Sequence, residues 1–204
     1  IAPPQPVRSA VVTAITSEIT LDGLLSEPEW QAAPKIGDLI QREPKNGDKP
    51  SERTEVTLLH DAINLYIGVM CYDSEPKRVI GTQMARDAVL TSDDRISIVL
   101  DTYGDHRNAF FFSTNPAGAL VDGLVFANGQ SNNEWDAIWT VRTRRTSQGW
   151  SAEFAIPFKS LSFPSGHTTW GFNITRNIQR KLEEDRWSGA RLEVQFFQVS
   201  EAGE

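Results

Sequence analysis

The chain has 204 residues, which suits one large domain or two small ones. Hydrophobic residues make up 39% of it, with six Trp and ten Phe, so it can build a sizeable core and is not intrinsically disordered. Its net charge of −7 argues against binding to nucleic acid, which needs a basic face, and leaves neutral ligands such as sugars open. No stretch approaches 18 consecutive apolar residues, so the sequence predicts no membrane span.

The first residues, IAPPQP, are rich in proline and do not begin with Met. This is typical of a chain that starts after removal of a signal peptide, or of a piece of a longer chain. Composition is uniform afterwards and no repeat is present. We therefore expect a leader over residues 1–18 and a single domain over residues 19–204.

The single cysteine, Cys71, lies in the apolar run LYIGVMCYD and is expected to be a buried thiol that fills space. No internal disulfide can form. One cysteine suits the cytoplasm, and equally a bacterial periplasm in which cysteines are avoided.

A short helix is predicted near residue 30. Ser26 is a plausible N-cap, and Glu29 three residues later completes a capping-box pattern. Trp30 follows on this turn and is expected to plug the core. Pro34 is expected to end the segment.

From residue 54 onward the apolar residues alternate with a period of two, which predicts β-strands. Turn signals separate these runs, and helix signals are nearly missing. The predicted fold class is all-β, a two-sheet antiparallel β-sandwich of jelly-roll or immunoglobulin-like type with very little helix. The predicted strands are TEVTLLH (54–60), NLYIGVMCYD (64–73), RISIVLDT (95–102), RNAFFFSTN (107–115), ALVDGLVFA (119–127), WDAIWTVRTRR (135–145), GWSAEFAIPF (149–158), TWGFNITRNIQR (169–180), DRWSG (185–189) and RLEVQFFQVS (191–200).

The pair Asp93-Asp94 precedes the strand RISIVLDT. Neighbouring residues of a strand point to opposite faces, so a catalytic carboxylate pair is disfavoured. Two interpretations stay open: the acids accept backbone N–H bonds at strand ends or pair with arginines, or loop carboxylates hold a calcium ion. The candidate calcium ligands are Asp93, Asp94, Asp101, Asp105 and Asp122.

Motifs of the common hydrolytic sites are missing from the sequence. The three histidines are scattered, HExxH is absent, and no G-x-S-x-G or phosphate-binding loop occurs. A Ser-His-Asp triad brought together by the fold stays open, although no local motif proposes one. A hydrolase is therefore the least supported class.

Tryptophans carry the remaining signal, because sugar rings stack on exposed aromatic faces. Trp187, in the charged stretch EEDRWSGAR, is the best candidate for an exposed stacking platform. Trp135 follows the polar loop NGQSNNE and shares a strand face with Trp139, so it too is a candidate. The other three, Trp30, Trp150 and Trp170, are expected in the core.

Two arginines, Arg176 and Arg180, are four residues apart on one face of a predicted strand and are candidate rim contacts for the same ligand. The alternative is a solvated charged face balanced by Glu183 and Glu184. Together with Trp187 and Trp135 the predicted ligand-binding set comprises Arg86, Asn133, Arg176 and Arg180.

The order of seven segments resembles carbohydrate-binding module family 9, in the version found at the N-terminus of bacterial outer-membrane proteins with a C-terminal DUF5916 region. The similarity runs from Thr20 to Trp187. These segments are LDGLLSEPEW, TEVTLLHDAINLYIGVMCYD, SDDRISIVLDT, RNAFFFSTNPAGALVDG, NEWDAIWTV, GWSAEFAIPFKSLSF and WGFNITRNIQR.

The resemblance implies a β-sandwich, structural calcium in some members, and a sugar clamped between two Trp rings. Trp187 matches the late Trp of this clamp. The early Trp is missing, since DAVLT (87–91) holds no aromatic residue, and Ser97 replaces an acidic residue. The resemblance transfers the fold better than it transfers the clamp.

The functional prediction that follows is a non-catalytic carbohydrate-binding module of a secreted or outer-membrane protein. Its partner would be an oligo- or polysaccharide, and its location periplasmic or at the cell surface. The alternative is a docking domain that packs on a partner or on the C-terminal β-barrel of its own parent chain and binds no sugar. Missing clamp residues favour the alternative.

Overall fold

A computed structural model describes residues 7–204, which form a sandwich of two β-sheets. The predicted all-β fold class with little helix is confirmed. No helix within these residues is long and apolar enough to cross a membrane. The elements are α1 (Pro28–Ala32) and the strands β1 (Thr13–Ala14), β2 (Lys35–Ile36), β3 (Ile40–Glu43), β4 (Thr54–His60), β5 (Asn64–Tyr72), β6 (Arg95–Asp101), β7 (Ala109–Thr114), β8 (Val121–Phe126), β9 (Gln130–Asn132), β10 (Thr140–Thr146), β11 (Gly149–Pro157), β12 (Gly171–Ile178) and β13 (Glu183–Arg186).

The two sheets combine strands that pair with their neighbours in the chain and strands that pair with distant ones, such as β5 with β11 and β6 with β12. Sheet A has the order β1-β4-β5-β11-β10, with β2 also on β4, and sheet B has the order β3-β13-β12-β6-β7-β8-β9. All pairs are antiparallel except β1 with β4. Alternating apolar residues of both sheets meet between them, and Ile67, Ile98, Phe112 and Phe154 are fully buried there.

The outer face of sheet A is covered by the segment that contains α1. Trp30 is fully buried there above Gly68, where a Cβ atom would lie 2.7 Å from the Trp30 ring. The indole N–H donates to Glu153 Oε1 at 3.1 Å. The prediction that Trp30 plugs a core is confirmed, whereas the Ser26 N-cap is wrong: Glu27 holds this position, without a side-chain cap bond.

The outer face of sheet B is covered by residues near the end of the chain. The Phe197 ring lies 4.9 Å from that of Phe111, and Val199 packs beside Val99. The strand predicted over 191–200 is therefore wrong, because these apolar residues lie on the face of a sheet instead of extending its edge. The strand predicted over 135–145 begins at Thr140.

The described part of the predicted leader contacts the sandwich. Strand β1 pairs with Leu59 and His60 of β4, and Ala10 N–H donates to the Glu204 carbonyl. Residues 1–6 of that leader lie outside the described residues. No structural break at residue 19 separates residues 7–18 from the sheets.

Candidate functional site

A cleft of about 660 Å³ opens between the sheets at the end where β4, β6 and β11 finish and β5 and β12 begin. This volume is within the range of small-molecule sites. Residues 10–12 form one wall, and Glu204 lies beside them. The buried floor consists of Leu58, Leu65, Ile67, Leu100 and Phe172, and the more exposed mouth of His60, Phe158, Phe163, His167, Thr168, Thr169 and Trp170.

Four rings at the mouth form one contiguous aromatic cluster. The half-buried Trp170 lies 5.2 Å from Phe163 and 6.1 Å from Phe158, and Phe158 lies 6.4 Å from His60, measured between ring centroids. Phe163 is 39% exposed. These edge-to-face and tilted contacts fix the rings against one another, which leaves apolar faces available to a ligand.

Local sequence explains how these rings reach one place. Pro157 ends β11, and Phe158 begins the 3-10 turn that follows it. Trp170 stands directly before Gly171, the first residue of β12, where a Cβ atom would come within 2.9 Å of the Asp101 Cβ. Because both residues sit at strand ends, their rings lie at the rim of the sandwich.

The histidines add hydrogen-bonding groups to the mouth. His60 Nδ1 lies 3.0 Å from the Asp61 carbonyl oxygen, and His167 Nδ1 lies 3.3 Å from that of Thr102. A carbonyl oxygen only accepts, so each Nδ1 carries the proton and Nε2 of the neutral ring is left as an acceptor. Thr168 and Thr169, both exposed, contribute hydroxyls.

Trp187, the predicted exposed platform, is only 3% exposed, so this prediction of exposure is wrong. Its ring packs on Phe172 at 5.5 Å, and Gly203 covers it so closely that a Cβ there would lie 2.5 Å from Cζ3. One edge lines a separate cavity of about 400 Å³ with Arg8 and Lys35. The charged flanking sequence gave no sign that distant residues fold over the ring.

Arg176, one of the two predicted rim contacts, is only 1% exposed, so its placement at a rim is wrong. It shares the inward face of β12 with Ile174 and Ile178, and its guanidinium donates to the backbone carbonyls of Arg53 at 2.9 Å and Tyr72 at 2.7 Å. Its side chain therefore bridges the two sheets at the end opposite the cleft.

Arg180, the second predicted rim contact, is also misplaced by the sequence pattern. Its side chain is 6% exposed and donates to both carboxylate oxygens of Asp73, at 2.6 and 2.8 Å. Glu52 lies 3.5 Å away. Buried ion pairing, rather than a solvated face or a ligand, explains these charges.

Arg86, Asn133 and Trp135 lie close to one another and do not line the cleft. Arg86 donates to Asp136 at 3.0 Å and to the Ala137 carbonyl at 3.3 Å, next to Trp135 in the chain. Trp135 is half-buried against Phe110, 5.0 Å away, and Asn133 lies in an exposed turn. This part of the predicted ligand set stays a prediction.

Asp93 and Asp94 accept hydrogen bonds from the protein at the start of β6. Asp93 accepts the backbone N–H groups of Thr82 at 2.8 Å and Gln83 at 2.9 Å, while Asp94 accepts that of Gln179 at 2.7 Å. Burial pushes the pKa of Asp93 upward, but these bonds outweigh it and hold the pKa below its ordinary value. The interpretation that these acids bind backbone N–H groups is confirmed.

Asp101 lies at the other end of β6, roughly 20 Å along the strand at about 3.3 Å per residue. It accepts the N–H groups of Gly104 at 2.7 Å and His106 at 2.8 Å. Asp105 likewise accepts the N–H groups of the loop that follows it. Asp93, Asp94 and Asp101 therefore cannot share one ion, and their oxygens accept N–H groups of the protein.

Asp122 is the predicted metal ligand that does lie among other acids. Its carboxylate and those of Asp87 and Asp136 offer oxygen atoms within 4.8 Å of one another. Arg86 binds Asp122 at 2.7 Å and lies 3.6 Å from Asp87, so an arginine supplies the positive charge that a calcium ion would bring. Calcium binding here stays a prediction that requires this guanidinium to move.

The chain is similar in fold to solved carbohydrate-binding modules. It resembles a family 9 carbohydrate-binding module from Caldicellulosiruptor kristjanssonii in complex with cellotriose, with a TM-score of 0.67 and 16% identity over 95% of this chain and 90% of that one. A family 9 module from the same organism in complex with glucose gives 0.66 and 16%, over 95% and 92%.

A candidate carbohydrate-binding protein from Bacteroides uniformis gives a TM-score of 0.74 at 12% identity, over 94% of this chain and 95% of that one. No protein-family model and no curated protein matches the chain. The predicted resemblance to family 9 is thus confirmed at the level of the fold.

Proposed function

We propose that this protein is a non-catalytic carbohydrate-binding module whose sugar site is the mouth of the cleft. The observation that carries the proposal is the aromatic cluster of Trp170, Phe163 and Phe158 at the rim of a ligand-sized opening. Fold neighbours in complex with cellotriose and glucose support it.

The chemistry of the mouth suits a pyranose ring. The C–H face of a sugar stacks on an aromatic ring, while its hydroxyls need donors and acceptors at the edge. Trp170 and Phe163 offer the ring faces, and His60 and His167 offer Nε2 acceptors. The net charge of −7 favours neutral over anionic saccharides.

The acids with strongly raised pKa values support a non-catalytic role. Burial raises the pKa of Glu153 to about 7 and that of Asp185 to about 8, as enzymes do for general acids. Both residues are completely buried, so no substrate can reach them. Glu153 instead accepts hydrogen bonds from Gly23 and Trp30, which is a structural task.

Replacing Trp170 by alanine is expected to weaken glucose and cellotriose binding by about 5- to 150-fold, because stacking on one aromatic ring contributes on the order of 1–3 kcal/mol. Calorimetric titration measures the effect. Trp135→Ala is the matched control, since Trp135 is also half-buried but does not line the cleft. Loss of binding in Trp135→Ala with Trp170→Ala unaffected would place the site on the surface of Arg86 and Asn133 instead.

Structural calcium, a periplasmic or cell-surface location and attachment to a larger parent chain stay predictions. If calcium is structural, the melting temperature rises in calcium and falls with a chelator. An identical melting temperature in both contradicts a structural ion.

Should no saccharide bind to the folded protein, the docking role becomes the better account.

A further inference from the structure

The floor of the cleft differs in chemistry from its mouth. Leu65, Ile67 and Leu100 are at most 5% exposed, whereas the mouth carries exposed threonines and the exposed His167. Floor residues belong to strands whose backbone groups are paired: Leu58 with Ile67, and Phe172 with Leu100. The floor therefore presents aliphatic and aromatic carbon to whatever enters.

A sugar alone would match only the mouth. A hydroxyl that entered the floor would lose its water without gaining a partner from these side chains, which disfavours it. An apolar group there would instead remove further hydrocarbon surface from water. The complete cleft thus matches an amphipathic ligand with a polar and an apolar end.

We propose that the ligand of this cleft is a glycoside with an apolar aglycone, whose sugar lies on the rings at the mouth and whose alkyl, acyl or aryl group lies in the floor. The inference rests on the proposed sugar-binding function and adds the chemical class of the ligand. Its orientation follows from the gradient of burial between Phe163 at the mouth and Ile67 in the floor.

The test is a calorimetric series of methyl, butyl, hexyl and octyl β-D-glucosides below their micellar concentrations. Each methylene that enters the floor should tighten binding by about fourfold until the floor is filled, following the transfer free energy of a CH₂ group. Equal affinities for methyl and octyl glucoside would overturn the inference while leaving the proposed sugar site intact.

A variant that fills the floor provides the second readout. Leu65→Phe should end the gain in affinity at a shorter alkyl chain, and Leu58→Phe serves the same purpose if the first variant fails to fold. Leu192→Phe, at an exposed position outside the cleft lining, is the matched control and should keep the wild-type series. An unchanged series in a folded floor variant would contradict the placement of the aglycone.

Hexanol and octanol separate failure of this inference from failure of the proposed function. Alkyl glucosides should bind more tightly than alcohols of the same chain length, and Trp170→Ala should remove that preference. Equal binding of alcohols and glucosides in wild type would overturn the sugar-binding function itself, and with it the glycoside as ligand.

Discussion

Replacing Arg176 by methionine is expected to lower the free energy of unfolding by roughly 3–5 kcal/mol, because two carbonyls and one hydroxyl lose their donor at a cost of about 1–3 kcal/mol each. Arg176 ties β12 of sheet B to sheet A, because its guanidinium donates to the carbonyls of Arg53 and Tyr72 and to the Thr54 hydroxyl. Its charge also lowers the pKa values of Asp94 and Asp185, against the stronger effect of burial. Without Arg176, these carbonyls lose their donor, and both buried acids lose a nearby positive charge.

Urea unfolding of the variant measures this loss. Arg142→Met is the control, because Arg142 is exposed on β10 and surface substitutions usually change stability by less than about 0.5 kcal/mol. A loss below about 1 kcal/mol for Arg176→Met would show that water or rearranged side chains donate to the carbonyl and hydroxyl groups that Arg176 leaves without a donor.

Asp185→Asn is expected to stabilise the protein at neutral and alkaline pH. Asp185 is completely buried, and neither carboxylate oxygen accepts a hydrogen bond from the residues that the structure describes. Burial, reinforced by the charge of Glu183, raises its pKa from 3.8 to about 8. An uncharged amide of the same shape avoids the cost of ionising this group.

The sign of the pH dependence follows from proton release. The unfolded chain loses this proton near pH 3.8, whereas the folded protein holds it until about pH 8, so unfolding releases a proton between these values. The stability that Asp185 contributes is therefore fully present below pH 3.8 and declines as pH rises to 8, with a slope of up to about 1.4 kcal/mol per pH unit.

Denaturant unfolding between pH 4 and pH 9 separates the variants. Asp185→Asn should lack this slope and exceed wild type at pH 8 by more than about 1.4 kcal/mol, the equivalent of one pKa unit. Glu153 contributes a slope of the same sign to both proteins and cancels in the difference. Glu193→Gln, at an exposed acid, should follow wild type; parallel curves for wild type and Asp185→Asn would contradict the assignment.

Much of the fold was predictable from sequence because its central strands alternate cleanly. The strands at 54–60, 64–72, 95–101 and 149–157 match the pattern within about one residue. Short pairings such as β1 and β2 carry no periodic signal, since two residues cannot show a period. The segment 191–200 alternates like a strand, yet its apolar residues lie against a face of sheet B.

The site was less predictable because exposure depends on which distant residues cover a ring. Trp187 stands among charged residues and is covered by Gly203, whereas Trp170, expected in the core, lines the cleft. A usable signal was the polar loop SFPSGHTT, flanked by Phe158 and Trp170. Long polar loops between aromatic residues at strand ends commonly form the rim of a binding site.

The most direct test of sugar binding at the mouth of the cleft is a titration with glucose, followed through the NMR chemical shifts of the backbone amides. If sugar binds at the mouth, the perturbations cluster at residues 60–63, 158 and 163–170, which line or adjoin it. Perturbations confined to residues 83–90 and 133–138 would place the sugar on the surface of Arg86 and Trp135 and contradict the account.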